Sequence, residues 1–254
     1  MTLHIGLSGF GGKDEAEDNL RIFAENGIKA CEIAYTYSVY LKKPDAERIG
    51  KLAKELNIEL SIHAPYFINL NSKEPEKRES SKKRVLACCE SAHHLQCKKI
   101  IIHPGYYLGD SPEQTTKNVI KIIKELQEEI KKNKWDVNLC LETMGKNNVF
   151  GSLEEIKNVV NETGCSFCID FAHVLARYKE HNLEEIQNSF PQEKWHCHFS
   201  GIQYGEKGEQ KHLRTTKEDW KRILDFLKKN KKNATVICES PDPFNDALMG
   251  INLF

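Results

Sequence analysis

Short apolar runs alternate with longer, charged amphipathic stretches along the whole chain. The runs are His4–Ser8, Ala30–Tyr35, Leu60–Pro65, Lys99–Pro104, Asn138–Thr143, Phe167–Phe171, Trp195–Ser200 and Thr235–Ser240. The stretches between them repeat apolar residues at helical spacing among Lys and Glu. They predict helices over Asp14–Asn26, Asp45–Leu56, Lys77–Leu95, Pro112–Lys132, Leu153–Asn161 and Lys217–Lys229. Two of these starts are marked by a hydroxyl ahead of acidic first-turn residues, Ser111-Pro112-Glu113 and Ser152-Leu153-Glu154-Glu155. Strand–helix alternation repeated around eight runs predicts an α/β fold, a single closed (β/α)8 TIM barrel occupying residues 1–254 as one domain. An open doubly wound sheet is the alternative, but no GxGxxG follows the first run.

Side chains two apart in a strand share a face. His63, His103, Glu142, Asp170, His198 and Glu239 all fall near the C-terminal ends of different runs. Two residues earlier stand Ser61, Ile101, Cys140, Cys168, His196 and Ile237, mostly small or apolar, as expected of a packed layer below an active face. The six ionisable residues therefore form a predicted ring at the C-terminal mouth, where barrel enzymes place their chemistry. Pointed inward with no counter-ion they would carry costly unpaired charge. Imidazoles mixed with carboxylates suit zinc or manganese better than calcium or magnesium. Glu142 is the candidate to bridge two ions about 3.5–4 Å apart, an arrangement that activates water and stabilises a leaving oxygen.

Composition changes this picture little. With 254 residues and 39% hydrophobic content the chain can bury one large core. Nine cysteines are an odd number in a chain too large for a disulfide-stapled fold, and Cys140, Cys168 and Cys238 sit inside apolar runs, so they read as reduced core residues. Cys165 and Cys168 form a CxxC with no second pair to complete a structural zinc site. No apolar run is long enough to cross a bilayer, and no signal-like segment precedes the first strand pattern. A cytoplasmic or nucleoid-associated location, with no membrane partner, is the expectation. The formal net charge is zero, so contact with a polyanion must rest on a local patch or on bound cations.

The motifs Ser61-Ile62-His63-Ala64-Pro65-Tyr66-Phe67-Ile68-Asn69-Leu70, Ile102-His103-Pro104-Gly105, Leu141-Glu142-Thr143, Cys168-Ile169-Asp170-Phe171-Ala172-His173 and Cys238-Glu239-Ser240-Pro241 resemble endonuclease IV, the apurinic/apyrimidinic endonucleases of AP endonuclease family 2 on the xylose-isomerase-like barrel. The match runs in order from the third strand onward; the first sixty residues add little. The resemblance implies two or three zinc ions, with manganese possible at one site. His63 and His103 would hold one ion, and Glu142 would bridge it to a second completed by Asp170, His198 and Glu239. His173 would bind the third with His212 and Glu209. The family pattern there is an aspartate and a histidine two apart, whereas Glu209 and His212 are three apart. Tyr66, with Phe67 beside it, matches the aromatic that enters the DNA minor groove beside the lesion. The family's arginine after the second strand has no counterpart in Tyr35-Thr36-Tyr37-Ser38-Val39-Tyr40.

The implied activity is hydrolysis of double-stranded DNA 5′ to an abasic site in base excision repair, by a monomeric enzyme with Glu142 as its catalytic residue. A single-metal sugar isomerase or epimerase on the same barrel is the alternative, since Glu142, Asp170, His198 and Glu239 resemble its metal quartet. That quartet leaves His63, His103, His173 and His212 without a task. A non-catalytic lesion binder with structural zinc is a third reading. His4, His93, His94, His181 and His196 read as hydrogen-bonded structural histidines. Glu209 and Tyr66 also have plain readings, a solvated loop charge and a rim aromatic. Lys207, Lys211 and Arg214 form a basic run near the mouth that suits either phosphate contact or simple solvation.

Overall fold

The computed structural model describes residues 1–254. Eight strands close into a parallel barrel in the order β1 (Leu3–Ser8), β10 (Asn233–Cys238), β7 (Lys194–Phe199), β6 (Ser166–Asp170), β5 (Asn138–Glu142), β4 (Lys99–Ile102), β3 (Glu59–His63) and β2 (Ala30–Ala34). Each barrel strand falls on one of the eight apolar runs. The helices between them cover the outside: α1 (Ala16–Glu25), α2 (Lys43–Glu55), α3 (Pro75–His94), α4 (Pro112–Lys132), α5 (Leu153–Thr163) and α8 (Lys217–Lys229). Their inner stripes, such as Val119, Ile123 and Leu126 on α4, are fully buried against the strands. No helix is long and apolar enough to cross a membrane.

Caps fix where the helices begin. The Ser111 hydroxyl accepts from Gln114 N at the start of α4, with Pro112 in the first turn. Ser152 with Glu155, and Thr216 with Asp219, close reciprocal capping boxes on α5 and α8. Gly164 then ends α5 in the left-handed region at φ 67°.

Three helices and a hairpin lie outside the helical spans read from the sequence. α6 (Phe171–Tyr178) follows β6 directly, α7 (Leu183–Ser189) is two turns long, and α9 (Pro243–Leu253) closes the chain against β1 and α8. The antiparallel strands β8 (Gly201–Gly205) and β9 (Gly208–Leu213) form a separate two-stranded sheet where the sequence suggested only a loop. Packed on α6, the hairpin stands beside the mouth of the barrel.

The barrel interior departs from the expected apolar layer. Ile101, Cys140 and Cys168 do form a small apolar cluster separate from the main core. On the opposite side Glu32, Ser61 and His196 are all buried and polar. Of the six positions read as that layer, Ile101, Cys140, Cys168 and Ile237 are buried and apolar and Ser61 is small, so the expectation holds except at His196. The polar side comes from Glu32, which lay outside that reading and is inward-facing on β2, level with Ser61 of β3.

Candidate metal centre

Strand ends bring the predicted residues together. Asp170 of β6 is register partner to His198 of β7, and Glu142 of β5 is level with Cys168 of β6. His63 ends β3, His103 follows β4 directly, and Glu239 follows β10 with its N–H donating to Phe199 O at 2.9 Å. Ligand atoms of His63, His103 and Glu142 lie within 4.8 Å of one another, as do those of Glu142, Asp170, His198 and Glu239, and those of Asp170, His173 and His212.

Glu142 is the hub. Its Oε2 faces His63 Nε2 at 3.3 Å and His103 Nε2 at 3.0 Å; its Oε1 faces His173 Nδ1 at 3.2 Å and His198 Nδ1 at 3.3 Å. The two oxygens of one carboxylate thus serve two different groups of imidazoles. Glu142 is fully buried. Burial alone would push its carboxyl up, but the charges of His103 and His198, with hydrogen bonds from His103 and His173, pull it well below the usual range. Burial opposes protonation of His63 too, and Glu142 outweighs it, raising that imidazole to about 9. His173 rises to about 10 against the same opposition, through Asp170 and Glu142. Glu239 moves the other way: burial lifts its carboxyl, and Glu142 and Asp170 add to the lift against His198 and His63. In the metal-free protein, protons on the imidazoles balance the carboxylates; a bound divalent cation competes with those protons.

The histidines are held so that one nitrogen of each looks into the cluster. His63 Nδ1 donates to Ala64 O at 2.8 Å, His173 Nδ1 to Thr143 O at 3.0 Å and His212 Nδ1 to Glu239 O at 3.1 Å. A carbonyl oxygen only accepts, so these contacts place a proton on Nδ1 and make Nε2 the nitrogen that a metal would take on displacing its proton. Backbone carbonyls orient metal-ligating histidines in this way. Asp170 divides its two oxygens: Oδ1 accepts from His173 N at 2.8 Å and caps α6, while Oδ2 is buried without a hydrogen bond. One side chain therefore starts the helix, sets His173 at its third position and leaves Oδ2 in the cluster, 3.2 Å from His173 Nδ1 but without a hydrogen bond. An oxygen without a hydrogen bond and imidazoles turned so that Nε2 can be given to a metal together fit divalent cations of the zinc or manganese type.

The hairpin completes the third group. Glu209 Oε2 lies 3.4 Å from His173 Nε2, and His212 Nε2 lies 3.4 Å from the same atom. The three-residue spacing of Glu209 and His212 still brings both to His173, because a bulge at Gln203/Tyr204 shifts the β8–β9 register. Gly145 permits the approach: a Cβ there would meet Glu209 Cβ at 2.8 Å and His173 Cδ2 at 3.1 Å.

Exposure marks the entrance. His103, Glu209 and Glu239 keep 21%, 17% and 15% of their side-chain surface, whereas His63, His173 and His198 are nearly closed off. Tyr66 and Phe67 stand at the rim at 51% and 59% exposure, and the Tyr66 ring lies 5.3 Å from both the His63 and His103 rings. Tyr37, 74% exposed, faces Phe67 at 6.0 Å. Of the basic run, Lys207 and Lys211 project from the hairpin, while Arg214 is tied to Asp242 and Asp246.

Of the remaining histidines, four have polar partners, His4 with Glu59, His94 with Glu47, His181 with Arg222 and His196 with Glu32, whereas the expectation of a hydrogen bond fails for His93, which is exposed and meets only the His94 ring at 5.5 Å. All nine cysteines, Cys165 and Cys168 included, are free and buried, and burial raises their thiols. Sequence reading passed over Glu32. It is fully buried and accepts from Ser61 Oγ at 2.7 Å and His196 Nε2 at 2.9 Å, and His198 Nε2 approaches its Oε1 at 2.8 Å off the hydrogen-bond axis. Burial would push its carboxyl up; the charge of His198 and the hydrogen bond and charge of His196 hold it well below the usual range. The available signal was an acid at an inward position of an apolar run.

A closed parallel barrel with an imidazole–carboxylate cluster at the C-terminal ends of its strands defines a class of barrels whose mouth carries groups that could hold a metal ion. The chain belongs to the xylose isomerase-like TIM barrel family, whose model it matches over residues 20–252. It is 32% identical over 251 residues to an uncharacterized protein of Methanocaldococcus jannaschii, covering 92% of this chain and 91% of that one. A probable endonuclease 4 of Metamycoplasma arthritidis is 27% identical over 156 residues, 59% of this chain and 52% of that protein. The chain thus matches about half the length of that endonuclease 4 relative. Among solved structures, a D-tagatose 3-epimerase-like protein superposes with TM-score 0.75 at 20% identity, covering 100% of this chain and 95% of that one. Endonuclease IV from Thermus thermophilus superposes with TM-score 0.71 at 20% identity, covering 100% and 97%. At that identity the structural likeness concerns the fold.

Proposed function

We propose that this protein is a metal-dependent phosphodiesterase of the endonuclease IV type, which hydrolyses double-stranded DNA 5′ to abasic sites. The observation that carries the reading is the division of Glu142 between two sets of imidazoles, with His63 and His103 on one oxygen and His198 and His173 on the other. Divalent cations bound there, two or three of zinc type, would polarise a phosphodiester and lower the pKa of a water molecule, the chemistry that phosphate-ester hydrolysis needs. Glu142 spans the two positions and is the residue on which activity depends most. Asp170, His198 and Glu239 complete one position, His63 and His103 the other, and His173, Glu209 and His212 supply a third. Tyr66 and Phe67 offer an apolar face at the rim, suited to fill the stack left by an extruded nucleotide. Cleavage would leave a 3′-hydroxyl and a 5′-deoxyribose phosphate. A concentrated cationic centre attracts phosphate without overall basicity, which reconciles a DNA substrate with a net charge of zero. We read the whole chain as one domain.

The second reading is a sugar epimerase, favoured by the quartet Glu142, Asp170, His198 and Glu239, which holds one ion without help from the other histidines. Its weakness is that His63, His173 and His212 are each pinned through Nδ1 for a ligand role the quartet does not need.

Elemental analysis of the purified protein, paired with incubation on a duplex carrying one abasic analogue, separates the two. Two or three zinc ions and an EDTA-sensitive nick 5′ to the lesion support the nuclease. One manganese ion, no nick and turnover of a ketose would replace it with the epimerase.

A further inference from the structure

His63, His173 and His212 each donate Nδ1–H to a backbone carbonyl and turn Nε2 inward. His198 is reversed. Its Nδ1 faces Glu142 Oε1 at 3.3 Å and Glu239 Oε2 at 3.5 Å, and its Nε2 points down the barrel to Glu32 Oε1 at 2.8 Å. No carbonyl fills that role because His198 projects from within β7, where the neighbouring carbonyls are committed to the sheet ladder. A carboxylate from a strand across the barrel takes it instead. Glu32 is itself fixed from two further sides by the Ser61 hydroxyl and His196 Nε2, both on Oε2. Neither Lys nor Arg pairs with it, so imidazoles are the only basic groups paired with this fully buried carboxylate.

We propose that Glu32 is a positioning residue that makes His198 an Nδ1 ligand, and that its charge, passed through the imidazole, strengthens the metal position shared by Glu142, Asp170, His198 and Glu239. The inference rests on the metal-centre reading above. A carboxylate 2.8 Å from Nε2, even off the hydrogen-bond axis, favours by its charge the tautomer with the proton on Nε2 and raises the basicity of the opposite nitrogen. Ser61 and His196 form the collar that keeps Glu32 from rotating away. His196 thereby has a task without being a ligand.

The test uses the full chain, stripped and reloaded with zinc or cobalt(II), comparing wild type with Glu32→Gln, which keeps the shape and removes the charge. The expected result is a fall of about 10- to 100-fold in affinity for one class of bound ion. The other ions should stay in place, and the visible ligand-field bands of the cobalt form should shift. Unchanged affinity and spectrum in a folded variant overturn the proposal. So does an equal loss of all ions together with a lower melting temperature of the metal-free form, because that is what a packing role alone produces. A second measurement needs no variant: long-range 1H–15N correlation of the zinc-loaded wild type should show His198 carrying its proton on Nε2, with His63, His173 and His212 carrying theirs on Nδ1. A His198 proton on Nδ1 overturns the assignment. Wild-type protein that takes up no divalent ion at all would instead remove the metal-centre reading, and this inference with it.

Discussion

His173 Nε2 and His212 Nε2 stand 3.4 Å apart, and the Nδ1 of each ring already donates to a carbonyl, His173 to Thr143 and His212 to Glu239. With a proton on Nδ1 alone, the two rings would face each other lone pair to lone pair. A proton or a metal ion between them resolves the repulsion, and Glu209 at 3.4 Å from His173 supplies a third donor. Replacing His212 with Ala removes one donor from this group and none from the other two. Inductively coupled plasma analysis should then find one ion fewer per chain than in wild type. An unchanged metal count would sever His212 from the centre.

Gly145→Ala is expected to have a similar effect without touching a donor. Its new Cβ would lie 2.8 Å from Glu209 Cβ, and Glu209 N donates to Gly145 O at 3.1 Å, so the hairpin must move off His173. The variant should lose the same ion as His212→Ala while keeping the secondary structure seen by circular dichroism. Full retention of metal would mean that the hairpin adjusts without losing its contact.

Glu142→Gln strikes two groups at once, because both rely on its oxygens. Loss of a supporting hydrogen bond around a metal typically costs 10- to 100-fold, so loss of the shared ligand charge should lower turnover of an abasic duplex by more than about 100-fold. Two ions, not one, should bind more weakly. Near-normal cleavage by this variant is incompatible with the bridging role.

Tyr66→Ala separates substrate contact from metal binding. Stacking of a base on an aromatic side chain contributes about 1–3 kcal/mol, and abasic duplex affinity should weaken by that order. The metal count should not change, since Tyr66 touches the cluster only through ring contacts with His63 and His103. Equal DNA affinity in titrations monitored by fluorescence anisotropy would leave Tyr66 a rim residue.

At the other end of the barrel, Glu59 gives a pH signature independent of the metal. Its carboxylate accepts from Lys99 Nζ at 2.8 Å, Thr235 Oγ1 at 2.8 Å and His4 Nδ1 at 3.1 Å. Burial would raise its carboxyl, but the Lys99 charge and the three hydrogen bonds lower it from the ordinary 4.5 to about 2. A carboxyl more acidic when folded stabilises the native state above its unfolded value and loses that contribution as pH falls through the folded one. Wild type should therefore exceed Glu59→Gln in stability at about pH 6, and the gap should close between about pH 4.5 and 2 in urea titrations. A gap that stays constant over that window would mean the contribution is packing, not charge.

The alternation of apolar runs with amphipathic stretches determined the barrel. Eight runs of strand length separated by amphipathic stretches leave few other ways to bury so many apolar faces. Period-two alternation also carried the candidate cluster, because His63, His103, Glu142, Asp170, His198 and Glu239 each occupy an inward position at a strand end. Sequence likewise marked α4 and α5 through Ser111 and Ser152. It did not mark α6, whose cap is Asp170 and whose start is hidden in the strand before it. Nor did it mark β8 and β9, whose residues are largely exposed and carry no apolar stripe.

Only closure of the barrel decided which inward residues meet. Alternation shows that Glu32 points to the axis, but not that it sits beneath His198, because that depends on strand stagger and on contacts between residues more than 160 positions apart. The same holds for Glu209, which reaches His173 through a β-bulge and the absence of a side chain at Gly145. Local pattern fixes the direction of a side chain; the distance between two such side chains is a property of the folded whole.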